Sequence, residues 1–253
     1  MSRRFPRIER APAYRLLADA LAAEILAGRL RPGEVLPTEA RLCEEFGVQR
    51  TTVREGMRAL EEAGMLSRAD GGKRMRVSRP SAALVGNQIR RAMILNQVTY
   101  GELCDALLVI DPALARAAAA RCDAATISAL ERNCTETESL LRAGRSISGL
   151  DVAFHGLIAE ASGNRALILA RQPLLDLLDP AFERVLSAVS NAGRRLLQAH
   201  RKIVAAMREG DPDDAEGWMT KHIRDFRRGF ELQQIPLDQP VTLPRSTNHR
   251  SQG

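Results

Sequence analysis

The stretch LPTEARLCEEFGVQRTTVREGMRALEEAGML, residues 36–66, contains two helical patterns separated by a glycine. Thr38 can cap the first pattern, EARLCEEF, and Gly47 can end it. In the second pattern, apolar residues recur at helical spacing and form one stripe. These apolar residues are Val53, Met57 and Leu60. Two helices joined by a tight turn, the second with a basic N-terminus, are typical of a helix-turn-helix.

The flanks of this stretch extend the motif. Upstream, PAYRLLADALAAEILAGRL has aliphatic residues at a helical period, and Gly28 follows them as a helix stop. Downstream, MLSRA and KRMRVSRP enclose the turn DGG, a pattern that predicts a β-hairpin. The order helix, helix, turn, helix, hairpin predicts a winged helix-turn-helix over residues 1–79.

The start of the second helix carries the residues suited to reading DNA. Arg50 and Arg54 are one turn apart and lie roughly 70° from the centre of the apolar stripe, so they stay exposed while the stripe packs inward. Arginine can bind guanine O6 and N7 with both donors. Thr51 and Thr52 are short hydroxyl donors suited to phosphates or a thymine methyl.

The predicted hairpin carries a second basic group. Gly72, Lys73 and Arg74 lie at its tip, where a small residue lets the backbone approach the adjacent minor groove. A solvated basic helix and loop is the alternative interpretation. Helix order, hairpin and charge agree with one another, and they favour DNA binding.

The charge of the chain is uneven. The 253 residues carry a formal net charge of +6, and residues 1–80 hold 16 Lys/Arg against 11 Asp/Glu. A basic module joined to a nearly neutral one is expected of a nucleic-acid-binding protein. Neither a signal peptide nor a membrane-length apolar run is evident, and the four cysteines are scattered, which favours a cytoplasmic protein with free thiols.

Residues 12–79 resemble the GntR-type transcription regulators, whose pattern runs L-P-S-E-R-x-L-A, then F-G-V-S-R-x-T-V-R-E-A-L, then L-x-x-x-G-L. The resemblance implies a wing tip at Gly72 and DNA contacts from the recognition helix. Those contacts are Arg50, Thr51, Thr52 and Arg54. The family's arginine after Ser-Glu falls on Ala40, and Arg41 follows it. Arg41 is a candidate for the same contact, although one position turns it about 100° around the helix. The alternative is an operator relaxed at one base pair.

The rest of the chain predicts a mainly α protein, in which an antiparallel α-helical bundle follows the winged helix-turn-helix. We expect a linker and connecting helix at 80–97, a helical effector-binding domain at 98–232, and a disordered tail at 233–253. Within the bundle, two separate helices are predicted at 164–178 and 181–190.

Three of the four histidines fall on apolar faces of predicted helices, and Asp151 lies one turn before the first of them. The three are His155, His200 and His222. A single buried histidine is more often a hydrogen-bonded core residue than a ligand. Three of them with a carboxylate suit Zn²⁺, Ni²⁺, Mn²⁺ or Fe²⁺, which the sequence does not distinguish, and zinc is the default.

The helical region resembles the FCD effector domain of the FadR-type branch of GntR regulators. The motifs are DVAFHGLIAEASGN, AHRKIVAAMREGD and WMTKHIRDF. In metal-binding members, the aspartate and histidines of these motifs ligate a divalent ion. By position, the resemblance implies that the ligands are Asp151, His155, His200 and His222.

One position of this domain departs from the family. The family pattern E-V-R-x-x-L-E corresponds to DALLVID, which places Leu107 at the position where many family members have an arginine that pairs with an effector carboxylate. The final glutamate falls on Asp111. The pocket is then expected to prefer a less acidic or more apolar compound, unless Arg165 or Arg184 supplies the missing cation from another helix.

These observations predict a homodimeric transcription regulator, a repressor by default. It would bind a near-palindromic operator in double-stranded DNA and respond to a small organic acid at a metal-containing pocket. The main alternative is a metal-dependent hydrolase or lyase that uses the Asp/His₃ site, and a purely architectural DNA-binding protein is a third.

Overall fold

The computed structural model describes residues 11–68, 74–189 and 191–242. Ten helices and two strands are present in these ranges, so the mainly α prediction is confirmed. The chain divides into two compact units, Met1–Val85 and Gly86–Gly253. This division falls inside the segment 80–97 that the sequence assigns to a linker and connecting helix.

The first unit contains the winged helix-turn-helix. Its elements are α1 (Ala13–Leu26), α2 (Glu39–Phe46), α3 (Arg50–Glu62), β1 (Leu66–Arg68) and β2 (Met75–Val77). The two strands pair antiparallel, with Leu66 opposite Val77. Thr38 caps α2 by accepting a hydrogen bond from the backbone N–H of Arg41, and Gly47 ends it at a positive φ of 63°.

The second unit is helical. Its helices are α4 (Ala82–Leu95), which begins in the first unit, α5 (Tyr100–Ala119), α6 (Ala124–Arg142), α7 (Ser148–Ser162), α8 (Arg165–Ala188), α9 (Ala192–Glu209) and α10 (Pro212–Leu232). Helix α5 packs against α7, α8, α9 and α10. Asp123, Asn164 and Asp211 cap α6, α8 and α10, since the side chain of each accepts a hydrogen bond from the backbone of the first turn.

The two helices predicted at 164–178 and 181–190 are one helix, α8, so that prediction is wrong. Both Pro173 and Pro180 lie inside α8. A proline removes one backbone donor, but burial can outweigh that cost. Leu178 and Phe182 are buried on either side of Pro180, and their packing continues the helix through it.

The tail prediction is also wrong for its first ten residues, 233–242. Ile235 and Val241 are buried in the core of the second unit. The backbone N–H of Gly101 donates to the carbonyl of Leu237 at 2.7 Å, and that of Val241 donates to Val98 at 2.8 Å. These contacts attach the segment to the start of α5, and residues 243–253 lie outside the described part of the chain.

The described helices include none that is both long and apolar enough to cross a membrane. All four cysteines are free thiols.

Candidate nucleic-acid interface and metal centre

Helix α3 separates an inner apolar face from an outer basic one. Val53 is fully buried and Leu60 is nearly so, whereas the side chains of Arg50 and Arg54 are 67% and 61% exposed. The structure thus places both arginines on the free face of the recognition helix. Guanidinium groups displayed in this way can reach base edges in a major groove.

Glu39, at the start of α2, joins the two arginines. Its carboxylate accepts a hydrogen bond from Nε of Arg50 at 2.8 Å and another from Nε of Arg54 at 3.0 Å. The bond from Arg50 is the main cause that holds the pKa of Glu39 below its usual value. Sequence reasoning missed this residue, although its position directly after the Thr38 cap was a usable signal. The carboxylate thus holds both guanidinium groups beside each other on this side of α3.

The remaining residues predicted to contact DNA differ in their exposure. Arg41 is exposed on α2, and its Nε pairs with Glu45 at 2.8 Å, much as Arg50 and Arg54 pair with Glu39. Thr51 is exposed and Thr52 is half-buried. Arg74 is exposed next to β2, and the predicted wing-tip residues Gly72 and Lys73 lie outside the described residues.

In the second unit, three helices bring four predicted ligands together. Asp151 and His155 lie on α7, His200 lies on α9 and His222 lies on α10. One potential ligand atom from each lies within 4.8 Å of those of the other three. Residues more than 70 positions apart in the sequence thus form one buried cluster.

The separations within the cluster suit an enclosed ion. Oδ1 of Asp151 is 3.3 Å from Nε2 of His200, 3.8 Å from Nε2 of His155 and 4.0 Å from Nε2 of His222. Nε2 of His155 and Nε2 of His222 are 3.0 Å apart. Ligand bonds of about 2.0–2.2 Å would place pairs of donor atoms at most about 4.4 Å apart.

Unpartnered atoms give a second test of that fit. Oδ1 of Asp151 and both ring nitrogens of His200 are buried and make no hydrogen bond. His200 is fully buried and stacks on Phe154, with ring centroids 3.6 Å apart. A buried polar atom without a partner is costly, and a coordinated cation would satisfy the carboxylate and one imidazole nitrogen together. The residues present therefore fit a divalent ion.

The pKa shifts of Asp151, His200 and His222 favour the forms that bind a metal. Burial lowers the pKa of His200, and burial together with the neighbouring imidazoles lowers that of His222 well below its usual value. Burial acts to raise the pKa of Asp151. The three neighbouring histidines together lower it by a larger amount, so the net shift is downward. Neutral imidazoles and an ionised carboxylate are the forms that bind a metal.

Behind the cluster lies a buried ion pair that sequence reasoning did not assign. Asp111 on α5 accepts from Nε of Arg171 at 2.5 Å and from its Nη2 at 3.2 Å. The second oxygen of Asp111 is also 3.1 Å from Nδ1 of His155. A proton held on Nδ1 leaves Nε2 of His155 with its lone pair facing the cluster. Arg171 and Asp111 thus position His155, a candidate ligand. The sequence identifies only Asp111, as the last position of the family pattern.

Replacing Asp111 with asparagine should destabilise the protein by about 3–5 kcal/mol, because the buried Arg171 would lose its counter-charge. The same change should weaken metal binding roughly 10–100-fold, because His155 would lose its orienting partner. Chemical denaturation and competition with a chelator measure the two effects.

Asp105→Asn on the same helix is the matched control. Its carboxylate is 60% exposed and pairs with Arg227 at the surface, so removing its charge should cost less than about 1 kcal/mol. An Asp111→Asn protein that binds the metal as tightly as the Asp105→Asn protein would contradict the positioning role, and equal stability of the two would contradict the cost assigned to the buried ion pair.

A pocket opens directly onto the cluster. It encloses about 480 Å³ of empty space, counted out to its mouth, and Asp151, His155 and His222 form part of its wall. Helices α5, α7, α8 and α10 supply the rest, which is mainly apolar. A ligand in this pocket would meet the face of the cluster.

The cation expected to replace the family arginine does not line this pocket. Neither Arg165 nor Arg184 is among its lining residues, and Leu107 is part of its wall. The buried arginine that reaches this region is Arg171, which is held by Asp111. The proposal that Arg165 or Arg184 supplies the missing cation is therefore wrong for the pocket as described.

Two family models match the chain. The model described as "Bacterial regulatory proteins, gntR family" matches residues 13–74, and the model described as "FCD domain" matches residues 102–225. The first covers the helix-turn-helix, and the second includes all four clustered side chains.

Curated relatives match over most of the chain. The Glc operon transcriptional activator of Escherichia coli K12 is 29% identical over 247 residues, which are 91% of this chain and 92% of the relative. The HTH-type transcriptional repressor NanR of Escherichia coli K12 is 30% identical over 195 residues, 76% of this chain and 74% of the relative.

Among solved structures, Streptococcus agalactiae GntR is similar, with a TM-score of 0.61 and 28% identity. The match covers 85% of this chain and 99% of that one.

Proposed function

Because the chain belongs to the gntR family of bacterial regulatory proteins, in the FadR-type branch with an FCD domain, we propose that a small organic acid controls its affinity for DNA. The chain is a transcription regulator and not the hydrolase or lyase considered above, since both family models and the named relatives are regulatory. The observation that carries the proposal is the pocket that opens onto the buried Asp/His₃ cluster.

The proposed metal ligands are Asp151, His155, His200 and His222. Zinc is the default ion, and Ni²⁺, Mn²⁺ and Fe²⁺ are compatible with the same donors. When bound, the ion supplies a positive centre that can accept a carboxylate oxygen of the ligand. Asp111 would orient the imidazole of His155, and the carboxylate of Asp151 would neutralise the ion in part.

The proposed DNA-binding residues belong to the first unit. Arg50 and Arg54 would contact base edges, and Thr51 and Thr52 would contact phosphate or a thymine methyl. The DNA backbone would be contacted by Arg41 and by the wing residues Gly72, Lys73 and Arg74. The exposure of both recognition-helix arginines supports this assignment.

The regulator is proposed to act as a homodimer on a near-palindromic operator, since two copies of a recognition helix match two half-sites. We propose that it acts in the cytoplasm, where the DNA is. The DNA-binding domain would consist of residues 1–79, and residues 80–97 would connect it to the effector domain. The effector domain would consist of residues 98–232 and the packed segment that continues to 242. Repression is the proposed output, as the name of NanR states for that relative; the Glc operon protein is named an activator.

A ligand can control DNA affinity only if it binds two states of the protein unequally. The test therefore pairs two measurements on metal-loaded protein. A thermal-shift screen of small organic acids identifies a ligand, and fluorescence anisotropy then gives operator affinity with and without it. We expect a change of roughly 5–150-fold, the usual range of such coupling. A ligand that shifts the melting temperature but leaves operator affinity unchanged would contradict the proposal.

A further inference from the structure

The pocket beside the metal cluster is apolar beyond the candidate ligands. Seven of its twelve lining residues are aliphatic or phenyl side chains. Leu107 and Leu178 are buried in the wall, and Phe182 and Phe226 are part of it with ring centroids 5.4 Å apart. Such a wall contacts hydrocarbon favourably and offers no hydrogen bond.

A divalent ion in the cluster would offer a ligand a single positive charge. Asp151 carries one negative charge, so a divalent ion in the cluster would leave one positive charge for the ligand. The charge of Asp111 is offset by Arg171, with which it forms two hydrogen bonds. Asp179 is the remaining charged residue in the described lining, and it is an acid.

No lysine or arginine belongs to the lining as the structure describes it. A neighbouring cavity, which shares Phe182, His222 and Phe226 with the first, does contain Arg195. Nε of that arginine is 3.0 Å from the carboxylate of Asp225. A second ligand carboxylate held inside the pocket would therefore have to compete with Asp225 for this arginine or lie unpaired against hydrocarbon, and an unpaired buried charge is costly.

We infer that the pocket selects a monocarboxylate with an apolar body, whose single acid group faces the cluster while its hydrocarbon lies against Leu107, Phe182 and Phe226. This inference rests on the proposed metal-dependent regulation and specifies its ligand class. Dicarboxylates and other compounds with a second charge are excluded from high affinity.

The test uses hexanoate and adipate, which have the same chain length and differ only in the second carboxylate. Isothermal titration of full-length, Zn²⁺-loaded protein should show hexanoate binding at least tenfold more tightly than adipate. Propanoate should also bind at least tenfold more weakly than hexanoate, because each buried methylene contributes roughly a fourfold gain. Chelation of the metal should abolish the binding of all three.

Two variants should reduce or abolish the preference for hexanoate over adipate. Leu107→Arg adds a cation inside the pocket and should raise adipate affinity at least tenfold relative to hexanoate. Because Leu107 is buried, Val152→Lys is the second variant: Val152 lines the pocket yet is 41% exposed, so a lysine is tolerated there. Val109→Lys is the matched control, since Val109 is 73% exposed and is not part of the lining.

The outcomes separate this inference from the proposed function. Adipate binding as tightly as hexanoate, or no binding of hexanoate to metal-loaded protein, overturns the inference. If the purified protein holds no metal and hexanoate binds equally well after chelation, the proposed metal pocket fails as well. Two results together support the inference and the proposed function. The wild-type protein binds hexanoate tightly and loses it on chelation, and only the Leu107→Arg and Val152→Lys proteins gain affinity for adipate relative to hexanoate.

Discussion

Arg50→Ala is expected to lower affinity for the operator roughly 10–100-fold, and Arg54→Ala should do the same. A bidentate arginine–guanine contact contributes about 1–3 kcal/mol of discrimination, and each guanidinium is exposed on the free face of α3. Because neither side chain is buried, thermal stability should stay within about 0.5 kcal/mol of the wild type. Anisotropy titrations at fixed salt, with operator and scrambled DNA, measure the effect.

Arg29→Ala is the matched control for both variants. Arg29 is 63% exposed in the same unit and pairs with Glu24, so its removal takes away one positive charge without touching α3. It should weaken binding to operator and scrambled DNA alike, and only slightly. If Arg50→Ala and Arg54→Ala both leave the ratio of operator to scrambled affinity unchanged, α3 is not the recognition helix.

His200→Ala is expected to remove the metal. Protein purified without an affinity tag or chelator should contain about one divalent ion per chain, and the variant should contain close to none. Metal held at about 100 times its dissociation constant stabilises the native state by about 2.7 kcal/mol. Chelator should thus lower the melting temperature of the wild type by roughly 5–10 °C.

The response to chelator is the informative quantity, since His200→Ala also loses the packing of a buried ring on Phe154. That loss lowers the melting temperature of the variant before any chelator is added, whereas the further shift on chelation should vanish. His249→Ala should retain both the ion and the shift. A wild-type protein free of metal after gentle purification, or a His200→Ala protein that keeps its ion, would contradict the metal centre.

The local patterns of the sequence were enough to predict most elements. The stripe of Val53, Met57 and Leu60 located α3 because helical spacing of apolar residues reports which face is buried. Capping residues such as Thr38 also indicated where helices begin, because the capping oxygen and the backbone donors that it satisfies are neighbours in the sequence.

What could not be predicted depends on contacts between distant residues. The pairing of Arg171 with Asp111 joins α8 to α5, and no spacing rule links positions 60 residues apart. Helix α8 continues through Pro180 because of tertiary burial, which overrides the local preference of proline. Residues 233–242 look polar and proline-containing, but Ile235 and Val241 enter a core built by other helices.

The candidate metal cluster falls between these cases. Asp151 and His155 are one turn apart, so their common face follows from the sequence alone. Their approach to His200 and His222 required the tertiary packing of α7, α9 and α10. The family resemblance implied it, and the separations of 3.0–4.0 Å are consistent with that implication.

The most direct test of the account is the operator affinity of metal-loaded protein, measured with and without a saturating organic acid, in the wild type and in His222→Ala. The acid should change wild-type affinity at least fivefold, and the change should disappear in His222→Ala or after chelation. A ligand-dependent change of the same size in the His222→Ala protein, or none in a wild-type protein shown to bind both metal and acid, would contradict control of DNA binding through this site.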